Sequence, residues 1–496
     1  MAEFVGIDLG TTTSGLAYIR SDGNPEIVPN GDGERMTPSV VYFDPDEEVK
    51  LVGSAARDGG DPSRTIYQIK RFMDNPDYIV EIDDKMWTPT EISALILSKL
   101  ARECSNIIGD ITDVVVTVPA NFNEFARKAT IAAGKIAGLN IKRLVNEPTA
   151  AALYYAHAKK ITGNTLVYDL GGGTLDITVL NIGKYGDFEI FTSEGARHLG
   201  GANFDEIILD MIAGQYKDQR GADLYDSDAQ KRRMLQEGEH LKKMLSKLRK
   251  ASETVGNDTE GISRVELTRD GFEDAVDRLL LRTEMLVEQA LLSSNLTIDE
   301  VDHVVLVGGS TRMPAVRELL ERLFKKPALS CGNVDECVAL GAALFSKQSL
   351  TVHEVCNHGY GTLALVENAE TGEELFLNTI VINKNTPIPC SESQTYVTSE
   401  DNEQLIEVEI TQGEDSDPKY VDVIGKIGLE VPAGRPAGCE ITVTYAYDEN
   451  QRVKVVVTDE TTGKSKQVAI SYNGQGVLSD EEIDRKTAYF RNLQIE

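Results

Sequence analysis

Val167-Tyr168-Asp169-Leu170-Gly171-Gly172-Gly173-Thr174-Leu175-Asp176 is the stretch on which the reading of this chain turns. Apolar residues run into Asp169, three glycines follow, and a second alternating run, Ile177-Thr178-Val179-Leu180, leads away. The pattern predicts a hairpin whose turn carries no side chains, so that backbone N–H groups can close on an anion. A carboxylate at the end of the first strand suits a hydrated Mg²⁺. A Gly-rich turn is common and says little alone, but Phe4-Val5-Gly6-Ile7-Asp8-Leu9-Gly10-Thr11-Thr12-Thr13-Ser14 repeats the layout. Asp8 and Asp169 lie 161 residues apart. A repeat of that length predicts two similar lobes, each bringing a phosphate hairpin and one carboxylate to a shared cleft.

A chain of 496 residues holds two or more domains. Its formal charge of −30 argues against binding nucleic acid and for a soluble protein. The six cysteines, at 104, 331, 337, 356, 390 and 439, show no CxxC spacing and read as reduced cytosolic thiols. Met1-Ala2-Glu3-Phe4 enters a strand with no basic or apolar leader, and no apolar run reaches membrane-spanning length. The expectation is a cytoplasmic protein without a membrane partner.

In the first lobe, Asp113–Ala120 reads as a buried parallel strand ending at Pro119, and Asn123 opens a helix. Ile141–Glu147 is a strand leading into an Ala-rich helix, with Pro148 at the helix start. Glu147 then sits at the carboxyl end of a strand, where α/β folds place functional groups. Lys70-Arg71 stands in a mostly uncharged stretch, Thr65–Phe72. That pair reads either as solvated charge or as a cation held at a γ-phosphate, and the segment alone does not choose.

Asp8-Leu9-Gly10-Thr11-Thr12, Val118-Pro119-Ala120-Asn121-Phe122-Asn123, Asn146-Glu147-Pro148-Thr149-Ala150-Ala151-Ala152 and Asp169-Leu170-Gly171-Gly172-Gly173-Thr174 occur in this order. Together they resemble the ATPase domain of the seventy-kilodalton heat-shock (DnaK-like) chaperones, within the actin and sugar-kinase superfamily. The resemblance implies ATP/ADP, Mg²⁺ and K⁺ as cofactors. It implies Lys70, Glu147, Asp169 and Thr174 as catalytic residues, with Gly10, Thr11, Thr12, Gly171, Gly172 and Gly173 on the phosphates. Asp8, Asp169 and Asp176 would hold metal, and Pro119 and Arg127 match the family's hinge and relay to the linker. An aromatic that assists the K⁺ site in the family is Thr13 here.

Further on, His198-Leu199-Gly200-Gly201-Ala202-Asn203 matches a third glycine turn, with Ala202 and Asn203 where the family has acids. Glu239, Lys242, Lys243 and Ser246 share one helical face. On pattern alone that is a solvated charged face; the resemblance makes it the adenosine clamp. Lys243 replaces an Arg, which stacks better on adenine. Gly308, Gly309, Ser310 and Arg312 match the second adenosine loop, and Asp335 the approach to the lobe's closing helix.

Near Ser346 the helical periodicity stops. Phe376–Ile382, Thr395–Thr398, Leu405–Thr411, Gly425–Val431, Glu440–Tyr447, Val453–Thr458 and Gln467–Ser471 read as short strands of an all-β sandwich. It resembles, more loosely, the family's peptide-binding domain, with Tyr396, Ile406 and Val408 on its pocket strands. The expected layout is a two-lobed actin-like α/β ATPase domain (1–347), a linker (348–358), the sandwich (359–476) and a lid-helix stub (477–496), the helical lid being absent or truncated. Thr362–Leu377 reads as a long acidic loop. Ser349-Leu350-Thr351-Val352-His353-Glu354-Val355 is less apolar than the family's linker, which predicts weak docking. His353 and His358 read as solvated. Ser479-Asp480-Glu481-Glu482 opens a capped helix.

The resulting expectation is an ATP-driven chaperone for unfolded or extended polypeptides, working with a J-domain co-chaperone and a nucleotide-exchange factor. Two alternatives stay open: a small-molecule kinase of the same superfamily, and a family member that docks or regulates while hydrolysing little.

Overall fold

The computed structural model describes residues 5–45, 49–184, 186–257, 260–347, 351–367, 372–448, 451–469 and 474–496. Up to Ser346 the chain is built on two sheets of one design. In the first, the order is Asn140–Asn146, Asp113–Val118, Val5–Asp8, Thr13–Ile19, Pro25–Val28. The first three run parallel and the last two return antiparallel. In the second, His303–Val307 lies parallel to Gly163–Leu170, and Leu175–Ile182 and Phe188–Ala196 follow antiparallel. The repeat read from Asp8 and Asp169 is therefore a repeat of topology: each carboxylate ends the first arm of its lobe's central hairpin.

Two small-residue helices, Glu147–Lys159 and Cys337–Ser346, pack against each other between the sheets. Ala150, Ala151 and Ala152 are fully buried. A Cβ on Gly341 would fall inside the backbone of Ala150, and one on Gly6 inside that of Ala342 and Ala343. Composition at these positions thus sets how closely the lobes' supporting helices approach.

The sandwich has two four-stranded sheets. One orders Glu374–Ile382, Tyr360–Glu367, Leu405–Gln412, Asp422–Glu430; the other Cys390–Val397, Glu440–Tyr447, Val453–Asp459, Lys464–Ala469. Each of the seven strands read from alternation overlaps an observed one, although residues 470–471 of the last lie outside the described residues. The expected loop over Thr362–Leu377 is corrected: Tyr360–Glu367 is an eighth strand, paired along its length with Glu374–Ile382. Its run Leu363-Ala364-Leu365-Val366 lacks polar alternation, and backbone pairing with Glu374–Ile382 makes it a strand. Ile406, Val408 and Ile410 are buried in the sandwich core. Tyr396 packs at the edge of that core, its hydroxyl 2.6 Å from Thr379 Oγ1.

The described part of the linker is docked, through few apolar side chains. Val352–His353 adds to the second-lobe sheet, parallel to Phe188–Glu189. Val355 is buried with Val145, Phe188 and Val305. Glu354, also buried, accepts hydrogen bonds from Asn146 Nδ2 (3.1 Å) and Thr149 Oγ1 (2.9 Å). Leu350 falls outside the described residues. His353 is exposed, but the reading of His358 is corrected: its Nε2 lies 3.2 Å from Asn121 O between lobe and sandwich. Burial, then the nearby Arg197, Lys384 and Arg127, pushes its pKa down to about 3, so the ring is neutral. Lys384 of the sandwich pairs with the buried Glu194 of the second lobe at 2.6 Å. The helix Asp480–Phe490, opened by the expected capping box of Ser479 and Glu482, packs on the first-lobe helix Glu124–Ile136.

Candidate nucleotide site

Both hairpin turns face one cleft. Gly10 N donates to Ser14 Oγ (3.2 Å) and Gly171 N to Thr174 O (3.1 Å), which closes each turn on itself. The amides of Thr11, Thr12, Gly172 and Gly173 make no hydrogen bond among the described residues. Glycine is required where the turns meet. A Cβ on Gly172 would collide with the Thr12 hydroxyl, and one on Gly173 would stand 2.8 Å from Arg71 Cγ and 2.9 Å from Thr11 Cγ2.

Gly200, Gly201 and Ser310 brace the second turn. Gly201 N and Ala202 N donate to the carbonyls of Gly171 (2.9 Å) and Gly172 (2.8 Å), and Ser310 Oγ donates to Gly171 O (2.9 Å). Gly200 N is held by Asn203 Oδ1 at 3.0 Å, so this amide performs the capping function of an acid. The N–H groups of Gly200 and Gly201 are therefore committed to the fold.

Lys70 stands on the short 3₁₀ turn Ile69–Phe72 and Glu147 opens the helix Glu147–Lys159; the two form a buried ion pair. Phe122 lies beneath, its ring centroid 5.9 Å from Lys70 Nζ. Burial alone would lower the Lys70 pKa, but Glu147 and Asp8 outweigh it and hold the ammonium above its ordinary range. Asp8 accepts from Thr117 Oγ1 at 2.8 Å. Burial, then the charge of Glu147, raises Asp8 to about 7 and Asp176 to about 7. Burial, then Glu147 and Asp176, raises Asp169 as well. Asp169 Oδ2 and Asp176 Oδ2 are buried without a hydrogen-bond donor among the described residues. Orphaned carboxylate oxygens in a cluster of raised acids fit a hard cation. Thr174 and Thr11 are buried beside them.

The adenosine-clamp residues are less free than their spacing suggests. Lys242 is buried against Asp205 Oδ1 (2.7 Å) and donates to Gly201 O (3.0 Å). Burial, offset by that ammonium, leaves Asp205 raised to about 6. Lys243 is exposed and pairs with Glu239 at 2.9 Å. Ser246 Oγ donates to Lys242 O at 2.9 Å. Across the cleft, Gly308 has φ 81° and lies against Leu170 O, a placement only glycine tolerates. Arg312 is fixed by Asn333 Oδ1 (2.9 Å) and Asp335 Oδ2 (2.7 Å).

Sequence reasoning assigned no role to Asp205, nor to Arg35, whose guanidinium makes two 2.8 Å bonds to Glu336 at the start of the closing helix. Arg127, which matches the family's relay to the linker, reaches it through Asn146 Oδ1 (2.9 Å), whose Nδ2 donates to Glu354; sequence reasoning did not name these two further members. The signal for the first two was weak: single charges outside any motif.

The raised acids give a pH expectation. Cation binding needs these carboxylates ionised. Affinity for Mg²⁺-nucleotide should therefore be flat above about pH 7 and fall below it, by about tenfold per unit for each proton displaced. Calorimetric titration between pH 8 and 5.5 reads this; constant affinity across that range would exclude it.

Two lobes of one design around this cleft, with a β domain beyond, define a two-lobed ATPase architecture. The Hsp70 protein family matches residues 4–493, and the chain belongs to that family. Its members are ATPases of chaperone type that bind ATP or ADP with Mg²⁺. Among the described residues no helix is long and apolar enough to cross a membrane.

Proposed function

We propose that this chain hydrolyses ATP to ADP and phosphate and uses its sandwich to hold extended apolar polypeptide segments. The observation that carries the reading is the buried Lys70–Glu147 pair set among Asp8, Asp169 and Asp176 between two glycine turns. The amides of Thr11, Thr12, Gly172 and Gly173 hold the β- and γ-phosphates, within turns shaped by Gly10 and Gly171. Asp8 and Asp169 would hold hydrated Mg²⁺, which supplies charge neutralisation at the phosphates, and Asp176 a K⁺ ion. Lys70 stabilises charge developing on the γ-phosphoryl oxygens. Glu147 and Asp169 orient the attacking water, and Thr174 lines its approach. The adenosine lies between the Glu239–Ser246 face and the Gly308–Arg312 loop, with Gly200, Gly201, Ser310 and Asp335 keeping these walls in place. Single-turnover hydrolysis of radiolabelled ATP tests the reading: phosphate release under Mg²⁺ is expected, and binding without release would refute it.

Leu365 and Phe376 are register partners on one face of the Tyr360–Glu367 hairpin, and both are exposed, as is Leu405. Such a face accepts alternate side chains of an extended chain. Residues 351–496 hold 26 Asp and Glu against 11 Lys and Arg, a net −15. That field favours peptides with basic flanks. An Arg-flanked leucine-rich peptide is expected to bind more tightly than its Glu-flanked counterpart at low salt, with the difference shrinking at high salt. Fluorescence anisotropy decides; equal binding at low salt would remove the proposal. A J-domain co-chaperone and a nucleotide-exchange factor are the partners this cycle calls for.

A further inference from the structure

Residues 478–496 make an interface with the first lobe that the nucleotide reading does not use. Ile483, Phe490 and Leu493 are buried in the first-lobe core, a cluster that includes Phe43, Val52 and Trp87. Lys486 pairs with the buried Glu91, and Asp484 with Lys135 at 2.7 Å. The Arg102 guanidinium donates to Phe490 O and Leu493 O, at 2.9 Å each, and so clamps the helix end. Beyond it the chain runs beside Lys50–Val52. Lys50 N donates to Gln494 O (3.0 Å), Glu496 N to Lys50 O (3.0 Å), and Val52 N to Glu496 O (2.6 Å). Lys50–Val52 edges the small sheet it forms with Val41–Phe43 and Thr65–Ile66. Residues 494–496 cover that edge, whose amides and carbonyls would otherwise lie open to pairing.

The entry to this segment is also pinned: Gly476 N donates to Pro76 O at 2.6 Å. The last sandwich strand ends at Ala469. Six residues lie between Ala469 and Gly476, and the seven steps span at most about 25 Å. While residues 476–496 stay seated, the sandwich is leashed to the first lobe as well as joined through the linker to the second.

We propose that the Lys50–Val52 edge is a strand-acceptor site whose occupant is this chain's own residues 494–496, and that the seated segment is a clasp holding the sandwich against the ATPase lobes. The polar bonds, the buried side chains and the short leash act together, because each keeps the linker at high local concentration over its groove. The clasp does not depend on ATP hydrolysis.

The test is the chain lacking residues 478–496, read by hydrogen exchange at the linker amides Val352–Cys356. Exchange is expected to rise at least tenfold, and a synthetic peptide of residues 478–496 added in trans, which is not joined to the sandwich, is expected to leave that exchange high. Should the deletion fail to fold, Arg102→Ala combined with Leu493→Asp in the full chain is read at the same amides, with the same acceleration expected. Wild-type exchange in a folded variant would overturn the clasp. So would protection that is lost in the deletion and recovered with saturating free peptide, because the loss would then reflect damage to the uncovered first lobe and not the broken leash.

Discussion

Lys70→Ala is expected to leave ATP binding close to that of the parent protein while lowering hydrolysis by about 10²–10³-fold. Removing one preorganised charge from a transition state costs about 3–4 kcal/mol. Lys70 is buried and held by Glu147, so its charge needs no reorganisation when the γ-phosphoryl group begins to leave. The ground state should gain less from it, because in the proposed site the amides of the two turns meet the phosphates. The substitution also removes the cation that offsets the charges of Asp8, Asp169 and Asp176. Their pKa values should rise further, and the pH below which Mg²⁺-nucleotide affinity falls should move upward in the variant. Single-turnover hydrolysis together with calorimetric ATP binding checks this. Turnover within threefold of the parent would remove Lys70 from the mechanism, and a collapse of binding would make it a ground-state anchor instead.

The hairpins around Asp8 and Asp169 were legible because strand alternation and a glycine turn are local properties, and their duplication pointed to two lobes. The helix caps at Asn123 and Ser479 were legible for the same reason. Residues whose meaning depends on distant neighbours were not. Gly200 and Gly201 matched a glycine turn of the family, but that their amides are spent on Asn203 and Gly171 is visible only in the fold. His358 carries no pattern that distinguishes a solvated loop from an interface; only the fold brings Asn121 beside it. The strand Tyr360–Glu367 was hidden because its run Leu363-Ala364-Leu365-Val366 shows no polar alternation, and only pairing with Glu374–Ile382 fixes it. The helix at Asp480 could be read, but not what it would pack against, since Trp87, Arg102 and Glu91 are far off in sequence. Lys70 lay between these cases: its local sequence left two readings, and its burial against Glu147, visible only in the fold, removes the solvated one.

Glu354→Ala is expected to release the linker from its groove. The linker has only two described apolar anchors, Val352 and Val355, so polar contacts carry much of the docking. The Glu354 carboxyl accepts from Asn146 and Thr149 and faces the guanidinium groups of Arg127 and Arg143. Truncation leaves two buried donors unpaired and the cation of Arg127 without this acidic neighbour. Breaking such a set costs about 2–4 kcal/mol, or roughly 30- to 1000-fold in the docking equilibrium. Hydrogen exchange at Val352–Val355 should accelerate accordingly, while ATP binding, which involves none of these groups, stays unchanged. Burial raises the Glu354 pKa in the docked state, with the hydrogen bonds and arginines opposing it. A carboxyl raised on docking favours the docked form most strongly below its free value and loses that contribution as pH rises through its docked value. Docking in the parent should therefore weaken on that rise by an amount absent from Glu354→Ala and Glu354→Gln alike. Glu354→Gln keeps an acceptor for one donor and should fall between parent and Ala. Exchange in Glu354→Ala at the parent's rate would show that the two valines and the strand pairing with Phe188 and Glu189 hold the linker by themselves.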